Sequence, residues 1–223
     1  IDLAAAWARA NRAMDYLAGA MGDKASAEAA AKNGARAAKA VNEKFWDKEN
    51  GQYSYAFNKD GRLVGELTPW SAVALAWGLG TTERGTETLA RMNASDLTTD
   101  WGVRMLSTRS PLYEPLNYNY GAAWPFLSGW VSAALFDYDF VPQGFQVLMA
   151  NARHTFENAL GTVTELYSGA LNAWPQEGVP HQGFSTTGVV LPAVRGLLGL
   201  EGDALKKEIG FRPAVPLLWT RLE

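Results

Sequence analysis

The sequence predicts an all-α protein made of antiparallel helical hairpins, and three observations carry that expectation. Apolar residues recur at three- and four-residue spacing along most of the 223 positions. Gly, Pro and capping residues punctuate those runs, which gives seven helices joined by polar loops gathered at alternate ends. Strand-like sequence is limited to one polar hairpin and the tail.

Taken in order, Leu3, Trp7, Ala10, Met14 and Leu17 mark one face of a first helix that ends near Gly19–Gly22. Asp23 or Ser26 is placed to cap a second helix, whose inner face is Ala27, Ala31, Ala35, Ala38, Val41 and Phe45. A stripe that is mostly alanine demands very close packing against a neighbour. The polar segment Asp47–Glu66 follows, with turn signals at Asn50–Gly51 and Asp60–Gly61. Two shorter helices are expected over Pro69–Gly80 and Glu83–Asn93.

A long loop-rich stretch, Thr98–Trp124, comes next, and loops of that length in a compact domain are usually functional. Pro125 suits the first turn of a helix with Leu127, Val131, Ala134 and Leu135 on its apolar face. Pro142 opens another, with Phe145, Met149, Ala152 and Phe156 inside. The last helix runs from about Ser185 to Gly199, where Pro192 is tolerable only in a first turn or at a kink. In the tail, Pro213, Pro216 and Leu217–Trp219 predict an extended strand or a separate β segment.

Composition narrows the function. A net charge of −3 with no run of five like charges excludes an obvious nucleic-acid or anionic-membrane partner. The absence of cysteine removes disulfides, thiolate nucleophiles and Cys-based metal sites. With only two histidines, His154 and His181, a His-rich metal centre is not expected, and no cofactor is implied. No membrane span or signal peptide is visible: the opening run carries Asp2, Arg9 and Arg12 inside an amphipathic pattern. The chain starts without methionine, which suggests a processed or truncated product.

Aromatic residues make up 12% of the chain, and Trp46, Trp70, Trp101, Trp124 and Trp174 fall in loops or at helix starts. Rings at element ends are common packing residues. They are also what a carbohydrate site uses, because the flat apolar face of a sugar stacks on a ring while its hydroxyls take polar neighbours. In the stretch Gly161–Ser185, one carboxylate, Glu165, ends an apolar run just before Tyr167 and Gly169, and a Pro/Gly/Trp-rich loop leads on to His181, Gln182 and Ser185. An acid held between rigid elements among aromatics and amides suits a general base for a polar substrate; the bland alternative is a solvated loop glutamate.

Four segments, in order, resemble the six-hairpin (α/α)-toroid glycosidases, above all the glycogen-debranching amylo-α-1,6-glucosidase type. They are FWDKENGQYSYAFNKDG (Phe45–Gly61), DWGVRMLS (Asp100–Ser107), YEPLNYNYGAAWP (Tyr113–Pro125) and the Glu165-Leu-Tyr, His181-Gln182, Ser185 set. The resemblance implies inverting hydrolysis of a glycosidic bond in an oligo- or polysaccharide, with one carboxyl protonating the leaving oxygen and one carboxylate activating water. By position Glu165 matches the general base, and Asp100, Trp101, Arg104, Tyr118, Trp124 and Gln182 match positions lining the pocket.

In such enzymes the general acid lies upstream and the full toroid has twelve helices. The resemblance therefore implies an incomplete toroid over residues 1–202, an extended tail over 203–223, and an upstream domain or chain that completes the ring. Within the chain, Asp100 is the better substitute for the acid and Glu66 the other, and Asp100 would need a pKa raised by burial. Arg104 would hold a carboxylate or bond sugar hydroxyls, or form an ion pair that fixes the loop. Trp101 and Trp124 would be stacking platforms or core packing, and Ser185 a helix cap. Two other readings stand beside this one: a non-catalytic carbohydrate-binding or structural toroid fragment, and an alanine-rich helical scaffold.

Overall fold

The computed structural model describes residues 1–158, 160–174, 178–217 and 219, and among them are seven α-helices and three two-stranded hairpins. Helices α1 (Asp2–Met21) and α2 (Lys24–Lys44) form the first antiparallel pair. Gly22 turns the chain in the left-handed conformation at φ 78°, and Asp23 caps α2 by accepting from the Ser26 amide at 3.1 Å. The close packing expected of the alanine stripe is present: a Cβ on Gly34 would lie 3.4 Å from the Asn11 Cβ and 3.5 Å from the Ala8 carbonyl oxygen.

Close approach changes which faces are inner. Helix α1 buries its small side, Ala5, Ala8, Asn11 and Ala18, against α2 and the core. Its large apolar side is uncovered, with Leu3 80%, Trp7 55%, Met14 49% and Leu17 56% exposed. In α2 the buried residues are Ala30, Ala37 and Val41, whereas Ala31 and Ala35 are exposed. Periodicity locates an apolar stripe, but backbone proximity selects the small-residue side.

Strands β1 (Trp46–Asp47) and β2 (Gln52–Tyr53) pair antiparallel across the Asn50–Gly51 turn, with Trp46 opposite Tyr53. Tyr53 is buried and donates its hydroxyl hydrogen to Asn42 Oδ1 at 2.8 Å, which ties the hairpin to α2. Helices α3 (Trp70–Ala76) and α4 (Thr82–Met92) follow, the latter capped by Thr81. Strands β3 (Thr98–Thr99) and β4 (Gly102–Val103) then form a tight hairpin inside the long loop.

Helix α5 (Pro125–Asp137) is the central element, packed against α3, α6 (Val141–Arg153) and α7 (Gly183–Leu191). It buries Leu127, Val131, Ala134 and Leu135, the face its sequence predicts. Helix α6 does not follow its apolar pattern: Gly144, Val147, Leu148 and Asn151 are buried, while Phe156, in the 3-10 turn after it, is exposed. Asn151 explains the rotation, because its buried amide donates to the Pro125 and Gly188 carbonyls at 2.8 and 3.2 Å, tying α6 to α5 and α7. A polar group whose amide hydrogens are both used has displaced an apolar one.

At Pro192 the last helix changes to a π-helical turn over Pro192–Leu197, as expected where proline lacks the amide hydrogen of the regular ladder. Strands β5 (Leu200–Asp203) and β6 (Glu208–Phe211) then pair across the position where the tail was expected to begin. The strand expected after Pro213 is not seen through Leu217, since prolines remove ladder donors; Leu218 and Thr220–Glu223 lie outside the described residues.

The larger core unites Ala5, Val41, Tyr53, Leu75, Leu89, Val131 and Val147. A second cluster of Val73, Met105, Ala122, Trp124, Leu127 and Leu166 lies under the loop-rich end. No described helix is long and apolar enough to cross a membrane.

Candidate active site

Three of the four sequence segments are laced side by side at that end. Arg104 bridges Ala123, and Ala123 bridges Tyr167 on its other side. The Ala123 and Tyr167 amides each donate to the other's carbonyl at 2.8 Å, while the Met105 amide donates to Ala122 and the Trp124 amide to Val103. Gly169 and Gly121 permit this contact: a Cβ on Gly169 would collide with the Gly121 carbonyl oxygen. The first segment, Phe45–Gly61, instead supplies the β1–β2 hairpin and sends Tyr53 into the larger core.

Glu165 is buried at 8% exposure in the segment that ends at Tyr167. Its Oε1 accepts from the Tyr118 hydroxyl at 2.6 Å and its Oε2 from the Val179 amide at 3.2 Å. Its own amide donates to the Val179 carbonyl at 3.0 Å, so the loop after Gly178 holds both backbone and carboxylate. Two donors on a buried carboxylate fix its direction. The Tyr118 hydroxyl is pushed up to about 12, first by desolvation and then by its bond to the negative Glu165.

The other expected residues divide into supports and open groups. Trp124 is 9% exposed, belongs to the second core cluster and donates its indole hydrogen to the Tyr118 carbonyl at 3.0 Å. Its ring meets that of Tyr118 edge-on at 4.6 Å, so it carries Tyr118 and has no open face for stacking. Arg104 is buried; Nε donates to the Gly169 carbonyl at 2.6 Å and Nη1 to the Ser95 carbonyl at 2.9 Å. Neither a carboxylate nor an ion pair engages it among the described residues, so it fixes loops through carbonyls.

Trp101 is half-buried, with its indole hydrogen on the Ser168 carbonyl at 2.9 Å and the Arg104 guanidinium 5.9 Å from its ring centre. Gln182 precedes the first turn of α7, and its half-buried side-chain amide has no hydrogen-bond partner among the described residues. Ser185 is not the cap: it lies inside α7, fully buried, and donates to the Glu165 carbonyl at 3.4 Å.

Asp100 corrects a second expectation. It sits exposed at the tip of the β3–β4 turn, so the burial on which an acid role depended is absent. Glu66 is only half-buried, ahead of α3. Two groups escaped the sequence reading. The Val179 amide leaves no trace in residue type, whereas Trp174 did signal itself as a loop tryptophan: 38% exposed, it donates to the Gly178 carbonyl at 2.9 Å and closes the loop that holds Glu165. Pro175–Glu177, between them, lie outside the described residues. A separate cleft of about 800 Å³ opens between α1, α5 and the β5–β6 hairpin, lined by Arg9, Arg12, Asp137, Arg195 and Lys206, and holds none of the expected site residues.

Several solved structures share this fold. A sialidase superposes with a TM-score of 0.78 at 13% identity, over 96% of this chain and 21% of its own. A GH63 mannosylglycerate hydrolase from Thermus thermophilus, in complex with Tris, gives 0.69 at 20% identity, over 85% of this chain and 44% of its own. Neutral trehalase Nth1 from Saccharomyces cerevisiae gives 0.53 at 16% identity, over 74% and 30%. The chain thus spans less than half the length of each of these neighbours. No curated protein matches its sequence. Its architecture is that of the (α/α)-toroid glycosidases, the fold class its sequence predicts. The profile of the mannosylglycerate hydrolase MGH1-like glycoside hydrolase domain matches residues 1–185, and the chain belongs to that family.

Proposed function

We propose that this chain carries the base-bearing part of an inverting glycoside hydrolase site, with Glu165 activating the attacking water. One observation carries the reading: a buried carboxylate aimed by a tyrosine hydroxyl and a backbone amide, on a segment whose Ser168 carbonyl accepts the indole hydrogen of half-buried Trp101 and whose Val163 carbonyl accepts the backbone amide hydrogen of Gln182. Such a group accepts a proton from a water held against it, and its two fixed donors limit the directions from which that water arrives. Trp101 and Gln182 supply a ring face and an amide to sugar groups, and Tyr118 orients Glu165. The substrate is an oligo- or polysaccharide; mannosylglycerate, named by the family, belongs in the same assay.

The general acid of this reading comes from the segment or chain that completes the toroid, because Asp100 is solvent-exposed. The uncovered stripe of Leu3, Trp7, Met14 and Leu17 is where that segment docks. No nucleic acid or membrane enters the reading. In the full-length protein, NMR of the freshly released sugar should show the anomer opposite to that of the bond cleaved. Release of the same anomer contradicts an inverting mechanism.

The exposed position of Asp100 favours one other reading, a carbohydrate-binding fragment without turnover. Calorimetric binding of short oligosaccharides with no hydrolysis by the full-length protein would establish that reading instead.

A further inference from the structure

His154 belongs to none of the groups assigned above, yet it is one of the most constrained side chains in the molecule. It is 1% exposed, directly after α6. Nε2 lies 2.7 Å from the Trp101 carbonyl oxygen, and Nδ1 lies 2.8 Å from Glu157 Oε2. Its ring stacks on Tyr167 at 3.8 Å with 19° between planes.

A carbonyl oxygen only accepts, so Nε2 carries a hydrogen. Glu157 Oε2, facing Nδ1 at 2.8 Å, holds the ring in that orientation. The titratable groups facing the ring are Glu157 on its own turn and Tyr167 from the Glu165 segment.

We propose that His154, with Glu157, is a positioning residue that clamps the Trp101 turn onto the segment carrying Glu165. The turn is held at two points. Its carbonyl is fixed by His154, and its indole by the Ser168 carbonyl, one residue beyond the Tyr167 on which His154 stacks. Removing the imidazole frees the first point and leaves Trp101 to its indole bond and to the local contact of its amide with the Thr99 hydroxyl. Trp101 then swings, while Glu165, held by Tyr118 and Val179, stays in place.

The test compares His154→Leu, which keeps volume and loses both ring nitrogens, with His154→Gln, which keeps a donor to the Trp101 carbonyl. Trp101→Phe assigns the Trp101 indole signal, and with two histidines the ring nitrogens are readily assigned. Nitrogen-15 spectra of the wild-type ring should show hydrogen on Nε2, the nitrogen that faces the Trp101 carbonyl. Trp101 indole exchange should accelerate about ten-fold in His154→Leu, one hydrogen bond's worth, and return in His154→Gln. An unchanged Trp101 exchange rate in His154→Leu, or a bare Nε2 in the wild type, overturns the proposal. Where His154→Leu does not fold, His154→Phe, which keeps a ring stacked on Tyr167 and has no donor, takes its place, and an unchanged Trp101 exchange rate there overturns the proposal.

Its consequence for sugar rests on the glycosidase reading: KM should rise about ten-fold with kcat nearly unchanged, since the base is untouched. Loss of kcat at constant KM contradicts positioning through Trp101. If wild type neither binds nor cleaves sugars, that reading fails by itself, while the exchange measurement still decides the clamp.

Discussion

At the residue scale the site is a set of directed hydrogen bonds, and Tyr118 is the one that a single substitution probes. Its hydroxyl hydrogen points at Glu165 Oε1 over 2.6 Å, and its raised value of about 12 keeps that hydrogen in place through neutral and moderately alkaline pH. Tyr118→Phe should lower kcat/KM about ten-fold, the worth of one hydrogen bond to a charged group. Because desolvation and Glu165 raise this pKa, the hydroxyl stays protonated below about pH 10, so any alkaline limb of the rate profile below that pH should keep its midpoint in the variant. A midpoint that moves with the phenol would assign the limb to Tyr118. Glu165 was legible in sequence because an acid followed an apolar run and preceded a loop rich in Pro, Gly and Trp. The Val179 amide was not, since any residue but proline presents the same donor.

At the element scale, the site depends on α5 and α7 approaching through glycine. A Cβ on Gly129 would strike the Gly188 backbone, and one on Gly188 would lie 2.5 Å from the Pro125 carbonyl oxygen. Asn151 bonds to both carbonyls at that crossing, so there is no slack to absorb a methyl group. Gly188→Ala should therefore destabilise the fold by about 1–3 kcal/mol, the usual cost of overpacking. In thermal denaturation this is a fall of roughly 2–10 °C for a chain of this size. An unchanged midpoint would show that α7 is free to move. Helix existence was legible throughout, but helix rotation was not. Helices α1 and α6 turn away from their large apolar residues because Gly34 and Asn151 make contacts that a hydrophobic pattern does not encode. The β5–β6 hairpin was missed for a related reason: Leu200–Phe211 is polar and largely exposed, without the alternation that marks a half-buried strand.

At the scale of the whole molecule, the proposed reading makes the chain a portion of a toroid that docks its remainder on the exposed Leu3–Leu17 stripe of α1. Since the stripe contributes nothing to the core of this chain, Trp7→Lys with Leu17→Lys should shift its melting temperature by no more than about 2 °C. A larger fall would place the stripe in the fold's own interior. On the proposed reading, the same double variant should also weaken assembly with a segment that completes the ring. The family resemblance was legible because the Asp100–Ser107, Tyr113–Pro125 and Glu165–Ser185 segments keep their order, and backbone bridges bring Arg104, Ala123 and Tyr167 together. The second carboxylate was not legible, because the candidate read from sequence, Asp100, lies at an exposed turn.

The central claim, that Glu165 is the water-activating base, is tested by turnover of mannosylglycerate and short oligosaccharides by the full-length protein and its Glu165→Gln variant. Glutamine keeps the shape and accepts the Tyr118 hydrogen through its carbonyl, so folding and sugar binding should be retained while kcat falls by about 10²–10⁴-fold. Hydrolysis by Glu165→Gln at a rate close to wild type would contradict the account.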